Sequence, residues 1–140
     1  MKIVQSLRII AMLLAVCLAA SALAQMGSSA RRLYDPNTET TVKGTVEKVT
    51  EIGEQGRTGT HLTLRANGQT YDVRVGPTAY VAASRFTFLA GDQIEVTGSK
   101  VKFDGADAIV AREIKKDGKV LTLRDRQGIP SWSRGPRRTD

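Results

Sequence analysis

Apolar and polar residues alternate along most of the chain between residues 41 and 124, which predicts β-strands. The first predicted strand is Thr41–Ile52. Its alternation holds as far as Val46 and then slips, because the next apolar residues are Val49 and Ile52. Such a slip in a long strand predicts a β-bulge.

The next two strands are predicted to form a hairpin over Thr60–Ala66 and Thr70–Val75. Asn67-Gly68 lies between them, and this dipeptide favours a two-residue turn in which both residues have positive φ. The turn fixes the register of the hairpin. It places four apolar residues on one face in two cross-strand pairs, Leu64 with Tyr71 and Leu62 with Val73.

A short helix is predicted over Thr78–Arg85, because Pro77 stands where a helix start needs no N–H. An apolar cluster follows and is expected to close one end of a barrel: Phe86, Phe88 and Leu89.

The fourth strand is predicted to begin after Gly91-Asp92. A change of parity near Ser99-Lys100 predicts a second bulge, which would turn Val101 and Phe103 inward. The remaining strands are predicted over Ala106–Lys115 and Val120–Arg124. In the fifth strand, Arg112 alternates with the apolar residues Val110 and Ile114 and would therefore point inward with them. Its charge requires either a bulge in the strand or a position at the barrel mouth.

Three strands, a helix and two strands are the order of an OB fold. We therefore predict an all-β protein, in which residues 41–124 form a small five- to six-stranded OB-type Greek-key barrel with one short helix between the third and fourth strands. A β-sandwich is the alternative, but the position of the helix favours the barrel.

The N-terminus has the three parts of a secretory signal. Positive charges precede an apolar stretch over Ile9–Ala20, and Ala22-Leu23-Ala24 supplies the small residues of a cleavage site. We expect residues 1–24 to be removed between Ala24 and Gln25, together with Cys17, the only cysteine. The protein is then periplasmic or secreted, and the mature chain has no transmembrane span and no thiol chemistry.

Flanking segments complete the predicted organisation. Residues 25–40 are polar and contain Gly and Pro, which predicts a flexible arm, and residues 125–140 form a basic tail with one tryptophan. The formal net charge is +7, and residues 124–140 alone carry five arginines against two aspartates.

The chain resembles the secreted bacterial OB-fold proteins in its signal peptide and in two strand openings, Val42-Lys43-Gly44-Thr45-Val46 and Gly91-Asp92-Gln93-Ile94-Glu95-Val96-Thr97-Gly98. The resemblance covers roughly residues 41–115. It implies a small periplasmic protein with no established enzymatic activity, and it implies no ligand.

Neither catalysis nor metal binding is indicated. The chain has one histidine, His61, and no cysteine after the signal, which excludes a Cys–His pair and a histidine-rich metal site. We predict no catalytic residues, no metal and no cofactor.

OB barrels commonly bind ligands across the face of the second and third strands. The cations predicted on or near this face form a candidate site for an anionic ligand: Lys43, Arg57, His61, Arg65 and Arg74. The alternative is an ordinary solvated face in which Arg65 pairs diagonally with Asp72. Single-stranded nucleic acid is a weaker candidate, because base stacking needs aromatic rings and the predicted face has none.

The tail is a second candidate site, for a partner protein or an anionic envelope component: Trp132, Arg134, Arg137 and Arg138. The equal alternative is that Ile129 and Trp132 fold back over the barrel. The sequence thus predicts a non-enzymatic exported module that binds an anionic ligand or an envelope partner protein. A DNA-binding OB protein and a purely structural envelope accessory are the alternatives.

Overall fold

The structure, a computed structural model, describes residues 33–54 and 56–134. The predicted signal, residues 25–32 of the arm, and Arg137 and Arg138 lie outside the described residues. The elements in order are a 3₁₀ turn (Pro36–Thr38), β1 (Glu39–Ile52), β2 (Gly59–Ala66), β3 (Gln69–Pro77), α1 (Thr78–Ala83), β4 (Gln93–Phe103), β5 (Ala106–Lys116), β6 (Lys119–Thr122) and a second 3₁₀ turn (Ser131–Arg134).

Five strands close into a barrel. β1 pairs antiparallel with both β2 and β4, while β2 pairs with β3 and β4 pairs with β5. The ring is completed by β3 and β5, which run parallel over Asp72–Arg74 and Ala108–Val110. β6 is an extra strand on the C-terminal half of β5. This topology, with α1 between β3 and β4, confirms the predicted OB-type barrel.

The β2–β3 hairpin has the predicted register. Leu64 lies opposite Tyr71 and Leu62 opposite Val73, and all four side chains are buried. Asn67 and Gly68 adopt φ values of 52° and 73°, which the two-residue turn requires. The turn chemistry and the apolar pattern specify the same pairing, so this hairpin is fixed locally.

The bulge in β1 is confirmed, because its pairing with β2 shifts between Val46 and Lys48. The bulge predicted near Ser99-Lys100 of β4 is wrong, whereas the bulge that was one of the two alternatives for Arg112 of β5 is confirmed. Gly98 pairs with Ala111 and Thr97 with Glu113, so the extra residue is Arg112 of β5. β4 itself has no shift from Gly98 to its end, and its alternation therefore continues.

Phe103 consequently does not face the core. It is 37% exposed, because in an uninterrupted strand it points away from the side that carries Ile94 and Val96. Leu89 also differs from its prediction and is 62% exposed, whereas Phe88 is buried and Phe86 packs against the core. The barrel is closed at this end by α1 and the two phenylalanines.

The final residues of the predicted arm pack on the barrel. β1 begins at Glu39, two residues before its predicted start. The side chain of Ser99 is fully buried; it accepts a hydrogen bond from the Asp35 N–H at 3.0 Å and lies 2.8 Å from the Thr38 hydroxyl. These contacts hold the first 3₁₀ turn against β4. Within residues 33–54 and 56–134, no helix combines the length and apolar composition needed to cross a membrane.

Candidate functional site

The outward face of β2 and β3 carries most of the predicted cationic site, and acidic residues of the barrel accompany the cations. Lys43 extends from β1 with its Nζ 3.4 Å from a carboxylate oxygen of Glu95. Arg65 pairs with Glu47 and not with Asp72, so the predicted diagonal pair is wrong. The β1 bulge lies beside Glu47 and brings this strand's carboxylate within reach of β2. Arg57 lies in the β1–β2 loop and makes no ion pair in the described part of the chain.

Asp72 lies against two basic side chains. His61 Nδ1 lies 3.1 Å from one carboxylate oxygen, and Arg74 Nε lies 3.5 Å from the other. The hairpin register produces this cluster, because His61 and Arg74 are cross-strand partners and Asp72 is two residues from Arg74 on the same face. His61 and Arg74 are mostly covered, with side chains 18% and 24% exposed.

Arg74 also stacks on an aromatic ring. Its guanidinium carbon lies 3.5 Å from the centroid of the Phe103 ring, a cation–π arrangement. Its Nε is buried without a hydrogen bond, since the contact with Asp72 is too long to be one. The face therefore includes one aromatic side chain, contrary to the prediction that it has none. This aromatic contact was not predicted from the sequence, because the bulge placed in β4 would have turned Phe103 toward the core.

The tail folds back onto the barrel, which is one of its two predicted arrangements. The Trp132 ring lies 5.3 Å from that of Tyr80. A Cβ at Gly76 would stand 2.7 Å from the indole, so this contact requires glycine at the end of β3. Arg134 pairs with Asp125. In this arrangement Trp132 covers the barrel and is not free to dock on a partner.

Arg124 joins the tail to the β3–β5 closure, which we call the seam. Its Nη1 donates to the carbonyl of Val75 at 3.2 Å and to that of Ala111, just beyond the last paired residues of the two strands. Its guanidinium carbon also lies 4.8 Å from the centroid of the Trp132 ring. Burial lowers the pKa of Arg124 to about 10. The β3–β5 pairing ends at Arg74 and Val110, and the Arg124 guanidinium supplies hydrogen bonds to the carbonyls that follow on both strands.

A second cationic region was not predicted. The β5–β6 turn contains Lys115, Lys116 and Lys119 around Asp117-Gly118. Two cavities of about 450 Å³ and 200 Å³ adjoin this turn and share Lys116 and Asp117 in their walls. The sequence does contain a signal for this region, which is three lysines within five residues. The charge of the barrel as a whole is nearly balanced, so a net charge does not show this local excess. We call the smaller cavity the turn pocket, and it is lined by Arg85, Phe86, Thr87, Lys116, Asp117 and Lys119.

Metal ligands are not grouped in the described residues, where no three His, Cys, Asp or Glu side chains are placed to hold an ion.

The topology defines the class of the molecule, which is a small OB-type barrel protein with an added strand. A family model described as the MamS/MamX magnetosome protein family matches residues 38–121, from the first 3₁₀ turn to β6. The chain belongs to this bacterial family. A search of the curated proteins finds no match. Membership of the secreted OB-fold family in particular stays a prediction.

Proposed function

We propose that this chain is a non-enzymatic, exported binding module that works in the magnetosome and recognises a partner protein of the cell envelope through the outward face of β2 and β3. The magnetosome setting comes from the description of the family. Export comes from the predicted signal at residues 1–24.

One observation carries the choice of a protein partner over an anionic ligand. Most basic residues of the face already have acidic partners within the barrel: Arg65 has Glu47, Lys43 has Glu95, and His61 and Arg74 share Asp72. A polyanion would have to displace these carboxylates and gain little from cations that are already neutralised. A protein surface with interspersed charges of both signs fits such a face better.

Phe103 supplies the apolar centre of this surface. It is 37% exposed, and the guanidinium carbon of Arg74 lies over its ring, 3.5 Å from the centroid. Aromatic residues and arginine are enriched in the energetically dominant parts of protein interfaces. The Arg74 side chain is only 24% exposed, so contacts within the barrel hold most of it in place before a partner arrives.

The test is affinity capture from the native cell envelope with three immobilised forms of the mature protein: wild type, Phe103→Ala and Val120→Ala. Val120 is the matched control, because it is an apolar strand residue that is 53% exposed and lies on β6. We expect the wild type and Val120→Ala to retain the same protein, and Phe103→Ala to bind it about 30-fold more weakly or worse.

Equal retention by Phe103→Ala would contradict the proposal. Recovery of nucleic acid instead of protein, lost after nuclease treatment, would favour the DNA-binding alternative. The melting temperature of each variant is measured first, so that loss of binding is not confused with loss of fold.

A further inference from the structure

We propose that the turn pocket is a binding site for hydrogen phosphate, separate from the face of β2 and β3 and independent of the function proposed for that face. The pocket has a volume of about 200 Å³, which suits a small ion. Its walls come from the residues after α1 and from the β5–β6 turn.

Lys116 forms a fixed wall of the pocket. Its Nζ donates to the Thr87 carbonyl at 2.5 Å and to Asp92 at 2.7 Å, and only 17% of its side chain is exposed. The hydrogen bond from Lys116 lowers the pKa of Asp92, so this carboxylate stays ionised at neutral pH. An ammonium group has three donors. One donor of Lys116 is therefore left for a ligand.

Arg85 and Lys119 provide the charge that attracts an anion. Neither makes an ion pair with a carboxylate among residues 33–54 and 56–134, in contrast to Arg65 and Arg74 of the β2–β3 face. A guanidinium presents its donors in a planar fork that matches phosphate oxygens. Two cations without carboxylate partners on the wall of one small pocket favour an anionic occupant.

The backbone of Arg85 ends α1. Arg85 follows the C-cap residue Ser84, its φ is 54°, and its N–H donates to the Ala82 carbonyl at 3.0 Å. Glycine is the usual residue at this left-handed position after a helix, because a side chain adds strain there. An arginine therefore stands where glycine would end the helix with less strain, and this arginine also lines the pocket.

Asp117 determines which anion fits. Asp117 also lines the pocket, and a carboxylate there would repel an anion that has no proton to share. Hydrogen phosphate carries an O–H that can donate to this carboxylate while its other oxygens accept from Arg85 and Lys119. Sulfate has no proton at neutral pH. The mixed wall of two cations and one acceptor therefore favours phosphate over sulfate.

The test is calorimetric titration of the mature protein with inorganic phosphate at constant ionic strength. We expect Arg85→Gly to weaken phosphate binding about ten-fold or more, since it removes a charge-assisted contact. Its melting temperature should be unchanged or higher, because glycine relieves the strain of the left-handed position. Lys119→Gln should also weaken binding, and the wild type should bind sulfate several-fold more weakly than phosphate.

Matched controls are Arg126→Gly and Lys48→Gln, which remove exposed cations that do not line the pocket. Both should bind phosphate as the wild type does. Methyl phosphate is a second arm, because its dianion has no O–H to donate to Asp117 and should therefore bind several-fold more weakly than inorganic phosphate. No binding by the wild type, equal binding by Arg85→Gly, or equal affinity for sulfate and phosphate would each overturn the proposal.

Discussion

The cations on the β3–β5 side of the barrel differ from those of the turn pocket in what they contact. Arg74 stacks on Phe103 beside Asp72, Arg112 binds Glu39, and Arg124 donates to two strand carbonyls. Arg85 and Lys119 of the turn pocket have no such partner in the residues that the structure describes.

A count of positive charges therefore does not locate a binding site. Arginines whose donors are used within the fold stabilise the barrel and offer little to an anion. Cations that the fold leaves unengaged are the ones available to a ligand. Substitutions on the two sides should therefore have different consequences: Arg112 and Arg124 control stability, and the turn pocket controls anion binding.

The largest expected effect is at the seam. Arg124→Met keeps a long side chain but removes the donors to Val75 and Ala111 and the cation–π contact with Trp132. Two buried carbonyls then lose their partner, and we expect a loss of about 2–4 kcal/mol in the free energy of unfolding. Denaturant unfolding measures it.

Arg126→Met is the matched control for the seam, because Arg126 is exposed and lies two residues away. It should change the free energy of unfolding by less than about 0.5 kcal/mol. If both variants lost the same stability, Arg124 would not hold the seam closed.

A smaller effect is expected where β1 meets the β5 bulge. Arg112 donates to both carboxylate oxygens of Glu39, from Nε at 2.8 Å and from Nη2 at 2.9 Å. Hydrogen bonds from Arg112, and then from Tyr34, lower the pKa of Glu39. Glu39→Gln should cost about 1–2 kcal/mol at pH 7, as measured by denaturant unfolding.

The pH dependence of that loss follows from the direction of the pKa shift. The folded protein holds Glu39 ionised at a lower pH than the unfolded chain does, so its contribution is complete above the ordinary value of 4.5. It disappears as the pH falls below 4.5 and through the depressed pKa of the folded state. The difference between wild type and Glu39→Gln should shrink over that range. Glu51→Gln, an exposed change on the same strand, should show no such trend.

Local signals in the sequence predicted most of the fold. The Asn67-Gly68 turn and the apolar alternation fixed the β2–β3 register, and Pro77 marked the start of α1. The second bulge was placed in β4 because Lys100 is charged and stands where the alternation of Ile94, Val96 and Gly98 calls for another apolar residue. In the structure Lys100 is exposed, its pairing with β5 is unbroken, and its ammonium lies 5.6 Å from the centroid of the Tyr71 ring.

The candidate site was predicted only as a list of cations. Their pairing depends on contacts between strands far apart in sequence, such as Arg65 with Glu47, and alternation within one strand carries no information on these contacts. Arg85 was taken as the last residue of a helix, whereas it follows the helix in a left-handed conformation. No pattern of apolar residues predicts that change.

The contrast between the two cationic surfaces is tested most directly by the amide NMR spectrum of the ¹⁵N-labelled mature protein during addition of inorganic phosphate at constant ionic strength. The signals that move with saturation should come from residues 85–87 and 115–119, while those of Lys43, His61, Arg65 and Arg74 stay in place. Saturable shifts centred on β2 and β3, with none at the β5–β6 turn, would contradict the account.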